Sequence, residues 1–448
     1  MGQEATVARA NFSPEVRRLI ADRAGHRCSF PTCSKLTVGP GAAGGETTGD
    51  GHAAHIYAAS PHGPRGQGGL TAEELVRPEN GIWLCATHAK LVDDNRGVRF
   101  PPPLLSSYRA LHEARVRKEV LGLFSPIGWL HEIRISRSPL FAAGQRAFFS
   151  KLNLLYGDNA TGKTALCEWL RALFDPGELG RWRQHDTALD LSLSFLNPEP
   201  VDIRLEYAGG SALRYWVNGR RVAFNPVHVR FIHVTGLNHF SIADDRKMLS
   251  TILRMEPSVV EGLIDEIHAF PHAKVHNLRF VWERECDEDE GEGDEEGRDG
   301  CHDGNSSRAP AQDASRVDHA GEKGGLVLRC DVEGTAPGLP LRCLSRREFE
   351  RVVIEFATAA ARVSGRHAPT ALILDTGLVL FERWFEFYSH HFLDAENQFQ
   401  TILCLPTSAL DLDRLAWLGW EVLRTTNRQG SRGGAGVVLT QGLRSSAG

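Results

Sequence analysis

The pattern of apolar and polar residues divides the chain into blocks, and the first block covers residues 1–125. Short apolar stretches alternate there with loops rich in glycine, proline and histidine, which predicts small helices and strands. A helix should begin after Ser13, because a serine N-cap, Pro14 at the first helical position and Glu15 in the first turn are typical start signals. The block ends in "LLSSYRALHEARVRKEVL", which predicts an amphipathic helix with a basic polar face.

The following blocks alternate strand, loop and helix in the way that is typical of an α/β domain. Residues 127–285 contain "WLHEIRIS", "KLNLLYG" and then the helical pattern "KTALCEWLRALF". Residues 326–430 contain the apolar stretches "TALILDT" and "TILCLPT" with a helical stretch between them. The intervening residues 286–325 are acidic and nearly free of large apolar side chains, so we expect a disordered insertion there. The glycine-rich residues 431–448 predict a flexible tail.

Composition and charge exclude several classes of protein. A formal net charge of −5 gives no overall basic character, so any contact with nucleic acid must come from local patches. The 9 cysteines are too few and too unevenly spaced for a secreted disulfide scaffold. The N-terminus lacks the apolar core of a signal peptide, and no apolar run reaches the ~18 residues of a membrane span. These features predict a cytoplasmic protein with no membrane partner.

Two close pairs of metal-binding side chains occur in the first block. Cys28 and Cys33 enclose "SFPT", and Cys85 and His88 enclose "AT". A tetrahedral Zn²⁺ site is commonly built from two such pairs, each supplied by one tight turn, with the cation joining the turns. The sequence therefore predicts a structural zinc site, and the alternative is buried thiols beside a surface histidine.

The segment "GHAAHIYAASPHGPR" and the later "NGIWLCATHAKLVDD" follow the first cysteine pair in an order that resembles the HNH endonuclease family, over roughly residues 15–120. The resemblance implies a ββα-metal site, in which a divalent ion lies between a strand, a loop and a helix. His55 then takes the place of the general base that activates water, and Asn80 that of the residue that holds the hairpin and orients this histidine. The closing metal ligand is Asp93, with Asp94 as the alternative. Asp93 lies four residues after Ala89, on the same face if residues 86–94 form a helix.

Some residues of this block depart from the HNH pattern. Ala54 stands where many relatives have an acidic residue, which removes one possible ligand, and His52 either replaces that ligand or is a solvent-exposed loop residue. The chemistry that the resemblance implies uses a hard cation, Mg²⁺ or Mn²⁺, to neutralise the scissile phosphate while His55 deprotonates water. Arg65 and Lys90 are candidates for contact with a phosphate, and the alternative for each, favoured for Lys90, is an ordinary solvated charge.

A second candidate site lies in "LNLLYGDNATGKTALCEWL", which contains G-x-x-x-x-G-K-T from Gly157 to Thr164. An apolar strand precedes this motif and a helix follows it, and this context distinguishes a P-loop from a chance match. The backbone N–H groups of the loop should hold nucleotide phosphates, Lys163 should contact the β- and γ-phosphates, and Thr164 should bind Mg²⁺. The predicted nucleotide-binding loop residues are Gly157, Asn159, Gly162, Lys163 and Thr164.

The rest of this half resembles the ATPase heads of the RecF, structural-maintenance-of-chromosomes (SMC) and ABC-type group. Asn159 in the loop is typical of that group, "ALILDT" resembles a Walker B strand that ends at Asp375, and "CLSRREFERVVIEFATAAARV" resembles a degenerate signature helix led by Leu344 and Ser345. The resemblance implies that Asp375 helps to hold Mg²⁺. The usual catalytic glutamate, signature glycines and switch histidine are replaced by Thr376, by Arg346 and Arg347, and by Thr407 or Ser408. Slow or absent ATP hydrolysis is therefore expected.

Together these features predict an α+β, zinc-stapled ββα-metal nuclease domain followed by an α/β P-loop NTPase domain. The function that they indicate is a metal-dependent DNA endonuclease controlled by ATP binding, and the resemblance suggests a role in defence against phage or foreign DNA. The alternative is a zinc-stapled DNA-binding module with a nucleotide-sensing clamp and little or no cleavage. Expected partners are DNA, ATP and either a second copy of the chain or another protein.

Overall fold

The computed structural model describes residues 9–441 except residues 32, 34, 121–127, 184–186, 198, 211, 236–243, 285–323, 376–381, 395–396, 407–410 and 428–435. The predicted acidic insertion lies outside the described residues apart from its last two positions, and so do Thr376, Thr407 and Ser408. The chain forms two compact units, one comprising Met1–Leu237 with Phe356–Gly448 and the other Asn238–Glu355.

The first part of the larger unit is an N-terminal module, residues 9–120, built on two short antiparallel strand pairs. The predicted helix start is confirmed, because the Ser13 hydroxyl accepts a hydrogen bond from the Val16 N–H at 3.2 Å. The predicted closing helix is also present. The elements of the module are α1 (Pro14–Arg23), β1 (Val38–Pro40), β2 (Thr47–Gly49), β3 (Gly51–His55), α2 (Ala72–Leu75), β4 (Gly81–Cys85), α3 (Ala86–Asp93) and α4 (Pro102–Val120), with 3-10 turns at Pro78–Asn80 and Asp94–Gly97.

The core of the module lies between the β3–β4 pair and helices α3 and α4. Ile82, Leu84, Val92 and Leu105 are all fully buried there. Their burial follows from alternation along β4 and from the helical spacing on α3 and α4, so that each element turns one apolar face inward. His112 of α4 pairs through Nε2 with the Ala24 carbonyl at 2.9 Å, which holds α4 against the end of α1.

The rest of the chain supplies the remaining strands and helices. They are β5 (Trp129–Arg137), β6 (Gln145–Phe148), β7 (Leu152–Gly157), α5 (Lys163–Ala172), α6 (Gly180–Arg183), β8 (Leu189–Asn197), β9 (Glu199–Tyr207), β10 (Arg214–Val217), β11 (Arg220–Val222), β12 (Arg230–Thr235), α7 (Asp245–Leu253), α8 (Pro257–Ala269), β13 (Val275–Arg284), β14 (Gly324–Val332), β15 (Leu339–Pro340), α9 (Arg346–Gly365), β16 (Thr370–Asp375), α10 (Glu382–Leu393), β17 (Gln400–Leu405), α11 (Leu412–Trp417), β18 (Trp420–Asn427) and β19 (Val437–Gln441), with 3-10 turns at Pro176–Leu179 and Leu341–Cys343.

Two six-stranded sheets dominate the larger unit. One has the order β12-β16-β17-β7-β18-β19 and is parallel except for β19, and the other is antiparallel with the order β11-β10-β9-β8-β5-β6. A single hydrophobic cluster takes side chains from both sheets and from α5, including the fully buried Trp169. The predicted α/β alternation is therefore confirmed. Because β7 and β16 run in the same direction, the loops at their carboxyl ends lie at one edge of the sheet.

The predicted flexible tail was wrong for residues 437–441, which form β19. This strand pairs antiparallel with β18, and Val437 and Leu439 are buried against the shared cluster. The segment is short and follows a glycine-rich stretch, so its own sequence does not predict a strand. The strand forms because it pairs with β18.

In the smaller unit, β13, β14 and β15 form an antiparallel sheet beside α7 and α8. The predicted signature residue Ser345 caps α9 here. Its N–H donates to the Glu348 carboxylate at 2.7 Å, and the Glu348 N–H donates to the Ser345 hydroxyl at 3.4 Å. This reciprocal pair is a capping box, which gives these two residues a local structural role. None of the described helices combines the length and the apolar character needed to cross a bilayer.

Candidate functional site

The four predicted zinc ligands lie together in the N-terminal module. Cys28 and Cys33 flank a turn closed by the Cys33 N–H, which donates to the Phe30 carbonyl at 2.9 Å. Cys85 is the last residue of β4, and His88 lies in the first turn of α3. The donor atoms of these four residues all lie within 4.8 Å of one another.

This donor set fits a zinc ion. The Nδ1 atom of His88 is 3.6 Å from the Cys28 sulfur and 3.2 Å from the Cys85 sulfur. Tetrahedral Zn²⁺ with the usual Zn–S and Zn–N bond lengths separates its ligand atoms by about 3.6 Å. The ring of Phe30 stacks on that of His88 at 4.1 Å between centroids, which fixes the imidazole plane. Sequence reasoning missed this role of Phe30, although its position between Cys28 and Cys33 indicates that it lies near the metal ligands.

Asn80 connects the end of β3 to the residues that precede β4. Its Oδ1 accepts a hydrogen bond from the Tyr57 N–H at 2.8 Å, and its Nδ2 donates to the carbonyls of Tyr57 and Leu75, each at 3.0 Å. The side chain is buried, and its own carbonyl accepts from the Ile56 N–H at 2.8 Å. Asn80 thus holds the chain just after His55, and its side-chain hydrogen bonds go to Tyr57 and Leu75 rather than to the imidazole itself.

His55 is the last residue of β3 and pairs with Gly81 of β4. Its ring stacks on Phe12 at 3.8 Å between centroids with an interplanar angle of 6°. Burial lowers the pKa of His55, and the positive charge of Arg9 acts in the same direction, while the Ala10 backbone and Asp93 oppose it. The imidazole is therefore neutral at pH 7 and able to accept a proton. Its Nε2 is buried without a hydrogen-bond partner among the described residues.

Asp93 ends α3, with about half of its side chain exposed (48%). Its Oδ1 accepts a hydrogen bond from Arg65 Nη2 at 2.7 Å. The same guanidinium donates to the carbonyls of His55 at 2.9 Å, Ile56 at 2.7 Å and Val92 at 2.6 Å. Arg65 therefore ties the strand that carries His55 to the helix that carries Asp93.

The prediction that Arg65 contacts a phosphate is wrong, because only 4% of its side chain is exposed and its donors are used inside the protein. Gly97 makes room for this arrangement. A Cβ on Gly97 would lie 2.4 Å from Arg65 Nη1, and its backbone has a positive φ of +70°. The glycine-rich sequence around Arg65 did not reveal this long-range role.

His55 and Asp93 line the same cavity, whose volume is about 370 Å³. His52 and Arg9 also line this cavity, which is open to solvent on one side. Among the described residues, Cys28, Cys33, Cys85 and His88 are the cluster with at least three potential metal ligands close together. His55 and Asp93 are not part of a second cluster of this size. Asp94 lies in the following 3-10 turn and does not line the cavity.

The P-loop connects β7 to α5, as predicted. Gly162 has a positive φ of +81° and stands at the start of α5. Gly157 must be a glycine, because a Cβ there would lie 2.2 Å from the Thr425 hydroxyl and 2.4 Å from the Thr425 carbonyl. Lys163 folds back over the loop, where its Nζ donates to the carbonyls of Gly157 at 2.7 Å and Asp158 at 2.8 Å.

A second cavity of about 340 Å³ lies over this loop, and Asn159, Lys163, Thr164 and Asp375 line it. Asp375 is the last residue of β16. Burial lowers the pKa of Lys163, and the negative charge of Asp375 opposes that shift. The structure thus brings the predicted Walker B aspartate to the cavity of the P-loop lysine.

Two residues that sequence reasoning missed also line the second cavity. The guanidinium of Arg181 lies over the ring of Trp182 at 4.8 Å, and both side chains donate to the Glu168 carboxylate of α5 at 2.8 Å. An aromatic and a cationic side chain therefore line this cavity together with residues of the P-loop, a lining suited to a polar, phosphorylated ligand.

No protein-family model matches the sequence, and no curated protein matches it. Among solved structures, the chain is similar to an SMC head bound to the C-terminal winged-helix domain of ScpA (13% identity, TM-score 0.43, 70% of this chain and 97% of that chain). It is also similar to the SMC head domain from Thermotoga maritima (11%, 0.37, 70% and 99%) and to the recombination mediator RecF with ATP (11%, 0.36, 71% and 99%). The likeness is one of fold, and at TM-scores below 0.5 no function is inferred from it.

Proposed function

We propose that the chain is a metal-dependent DNA endonuclease of HNH type whose activity is controlled by ATP binding at its P-loop. The observation that supports the nuclease part is the shared cavity of His55 and Asp93, beside a Cys/His cluster suited to zinc. His55 ends the first strand of an antiparallel pair, Asp93 ends the helix that follows the second strand, and Asn80 holds the chain just after His55. This is the arrangement of elements and residues that the HNH resemblance implies.

In this proposal the residues of the cavity have separate tasks. His55 accepts a proton from water, because burial keeps it neutral at pH 7. Asp93 would hold the divalent cation together with substrate phosphate oxygens. When bound, that cation would supply charge neutralisation at the scissile phosphate and at the leaving oxygen.

The second metal is structural in this proposal. Cys28, Cys33, Cys85 and His88 would hold Zn²⁺, which joins the turn after α1 to the start of α3. When bound, the zinc would fix the beginning of the helix whose other end carries Asp93.

The direct test is nicking of supercoiled plasmid in the presence of Mg²⁺ or Mn²⁺. We expect cleavage by the wild-type chain and its loss in His55→Ala and Asp93→Asn. His62→Ala and Asp94→Asn are matched controls, because neither His62 nor Asp94 lines the cavity. Equal nicking by His55→Ala and His62→Ala would remove His55 from the mechanism.

For the nucleotide part, Lys163 would leave the carbonyls of its own loop and bind the β- and γ-phosphates, while Thr164 and Asp375 would hold Mg²⁺. The single supporting observation is that these three residues line one cavity over the P-loop. Because threonine follows Asp375 where a water-positioning glutamate is usual, we propose that ATP is bound and hydrolysed slowly.

Two observations favour the second candidate function, a DNA-binding module with little cleavage. Arg65 already occupies Oδ1 of Asp93 at 2.7 Å, and Ala54 supplies no second carboxylate. Both features weaken a divalent metal site. Tight DNA binding without nicking in either metal would favour this function over the nuclease.

A role in defence against phage or foreign DNA is the biological part of the proposal and rests on the resemblance alone. Plaque counts on cells that express the wild type or His55→Ala would test it. Equal plaque numbers on the two strains would contradict a nuclease-based defence.

A further inference from the structure

The candidate nuclease cavity needs a cation for the DNA phosphate, and Arg65 does not supply it. The guanidinium of Arg65 is buried and donates to three backbone carbonyls and to Asp93. Phosphate contacts in protein–DNA complexes come mainly from exposed arginine and lysine side chains. A different cationic side chain at the cavity is therefore the candidate for a contact with the DNA backbone.

Arg9 is the other arginine that lines the cavity. Its side chain is exposed, and its positive charge acts on the imidazole of His55. Arg9 therefore lies close to His55, and its guanidinium is not engaged in the interior hydrogen bonds that Arg65 makes.

The position of Arg9 follows from the contacts of the short segment that carries it, residues 9–12. The Ala10 N–H donates to the Ala59 carbonyl at 2.9 Å, and the Ala10 backbone also hydrogen-bonds the imidazole of His55. Phe12 is buried, stacks on that imidazole and packs over Gly81. These contacts hold the segment at the end of the β3–β4 pair, where Arg9 lines the cavity.

We infer that residues 9–12 complete the nuclease site, with Arg9 as the residue that binds a DNA phosphate beside His55. Phe12 and the Ala10 backbone position the imidazole, and Arg9 supplies the charge that draws the phosphate into the cavity. This inference rests on the proposed function, because it assigns the substrate contact of the same site.

The test compares Arg9→Ala with Arg18→Ala in the full-length chain. Arg18 is a suitable control because it lies nearby on α1 and 84% of its side chain is exposed. Binding of a short DNA duplex is measured by fluorescence anisotropy at several salt concentrations, with Ca²⁺ in place of the catalytic metal. Loss of one phosphate contact should reduce the slope of log K against log salt by about 0.9 in Arg9→Ala. Arg18→Ala should keep the wild-type slope, and Arg9→Lys should restore it because lysine retains the charge.

Plasmid nicking then separates the inference from the proposed function. We expect Arg9→Ala to raise the KM for DNA more than it lowers kcat, since it loses a substrate contact and keeps His55. If the wild type fails to nick but Arg9→Ala still lowers the salt slope, the nuclease proposal fails and Arg9 remains a DNA contact. If the wild type nicks and Arg9→Ala has the same salt slope and KM as Arg18→Ala, the assignment of Arg9 is overturned. It is also overturned if no variant binds DNA.

Discussion

Replacing Asn80 by alanine should loosen the chain just after His55 through the loss of hydrogen bonds that water cannot easily replace. The side chain of Asn80 is 5% exposed and bonds the Tyr57 N–H, the Tyr57 carbonyl and the Leu75 carbonyl at 2.8–3.0 Å. Alanine removes the amide and leaves these backbone groups in the interior without a partner. A buried polar group left unpaired costs about 1–3 kcal/mol.

Hydrogen exchange at the Tyr57 amide measures this cost directly. A loss of about 1–3 kcal/mol corresponds to exchange that is roughly 5- to 150-fold faster. The Ile56 amide is an internal control, because it donates to the backbone carbonyl of residue 80, which alanine retains. Exchange at Ile56 should therefore accelerate less than at Tyr57.

Two results would contradict this reasoning about Asn80. Unchanged exchange at Tyr57 would show that its N–H does not depend on the Asn80 amide. Equal acceleration at Ile56 and Tyr57 would show a general loosening of the module instead of the loss of specific hydrogen bonds. The expected pattern, combined with reduced plasmid nicking, would give Asn80 an indirect role in positioning His55.

Three further predictions concern the metals and the nucleotide. Chelation of zinc or Cys28→Ser should make residues 9–120 sensitive to protease while the parallel sheet stays protected. Cys343→Ser, which changes an exposed cysteine, should have no such effect. A zinc-free module that resists protease as well as the untreated protein would contradict the zinc assignment. Lys163→Ala should abolish the binding of a fluorescent ATP analogue. Lys247→Ala, which removes a lysine with a 67% exposed side chain, should bind the analogue normally. Unchanged binding by Lys163→Ala would reject the nucleotide site. Steady-state phosphate release should be slow, and rapid turnover would show that a residue other than Thr376 positions the water.

Local signals allowed the P-loop and the start of α1 to be predicted. The strand, glycine-rich loop and helix around Lys163 occur within a few residues of one another, and each has a strong local preference. Ser13 likewise makes its capping bond to a residue three positions away. The approach of Cys28 to His88 was predictable for another reason, since both belong to close pairs of a known metal-binding spacing.

The parts of the site that could not be predicted depend on contacts between residues far apart in the sequence. The role of Arg65 requires the carbonyl of Val92, and the stacking of Phe12 requires His55. No local pattern encodes such pairs, because the same arginine in an exposed loop would look identical in the sequence. The strand at Val437 was missed for the same reason, as its partner lies on β18.

The N-terminal module and the P-loop sheet share buried contacts, which bears on how a nucleotide could control the candidate nuclease cavity. The Ser107 hydroxyl of α4 accepts a hydrogen bond from the Lys151 N–H at 2.5 Å, and Lys151 directly precedes β7, the strand that leads into the P-loop. Leu111 of α4 belongs to a small buried cluster with residues of the antiparallel sheet. On the other side, the Tyr57 hydroxyl donates to the Ala416 carbonyl of α11 at 3.3 Å. Asn80 bonds the backbone of Tyr57 just after β3. We therefore expect a displacement of α11 to reach the strand that carries His55 through Tyr57 and Asn80.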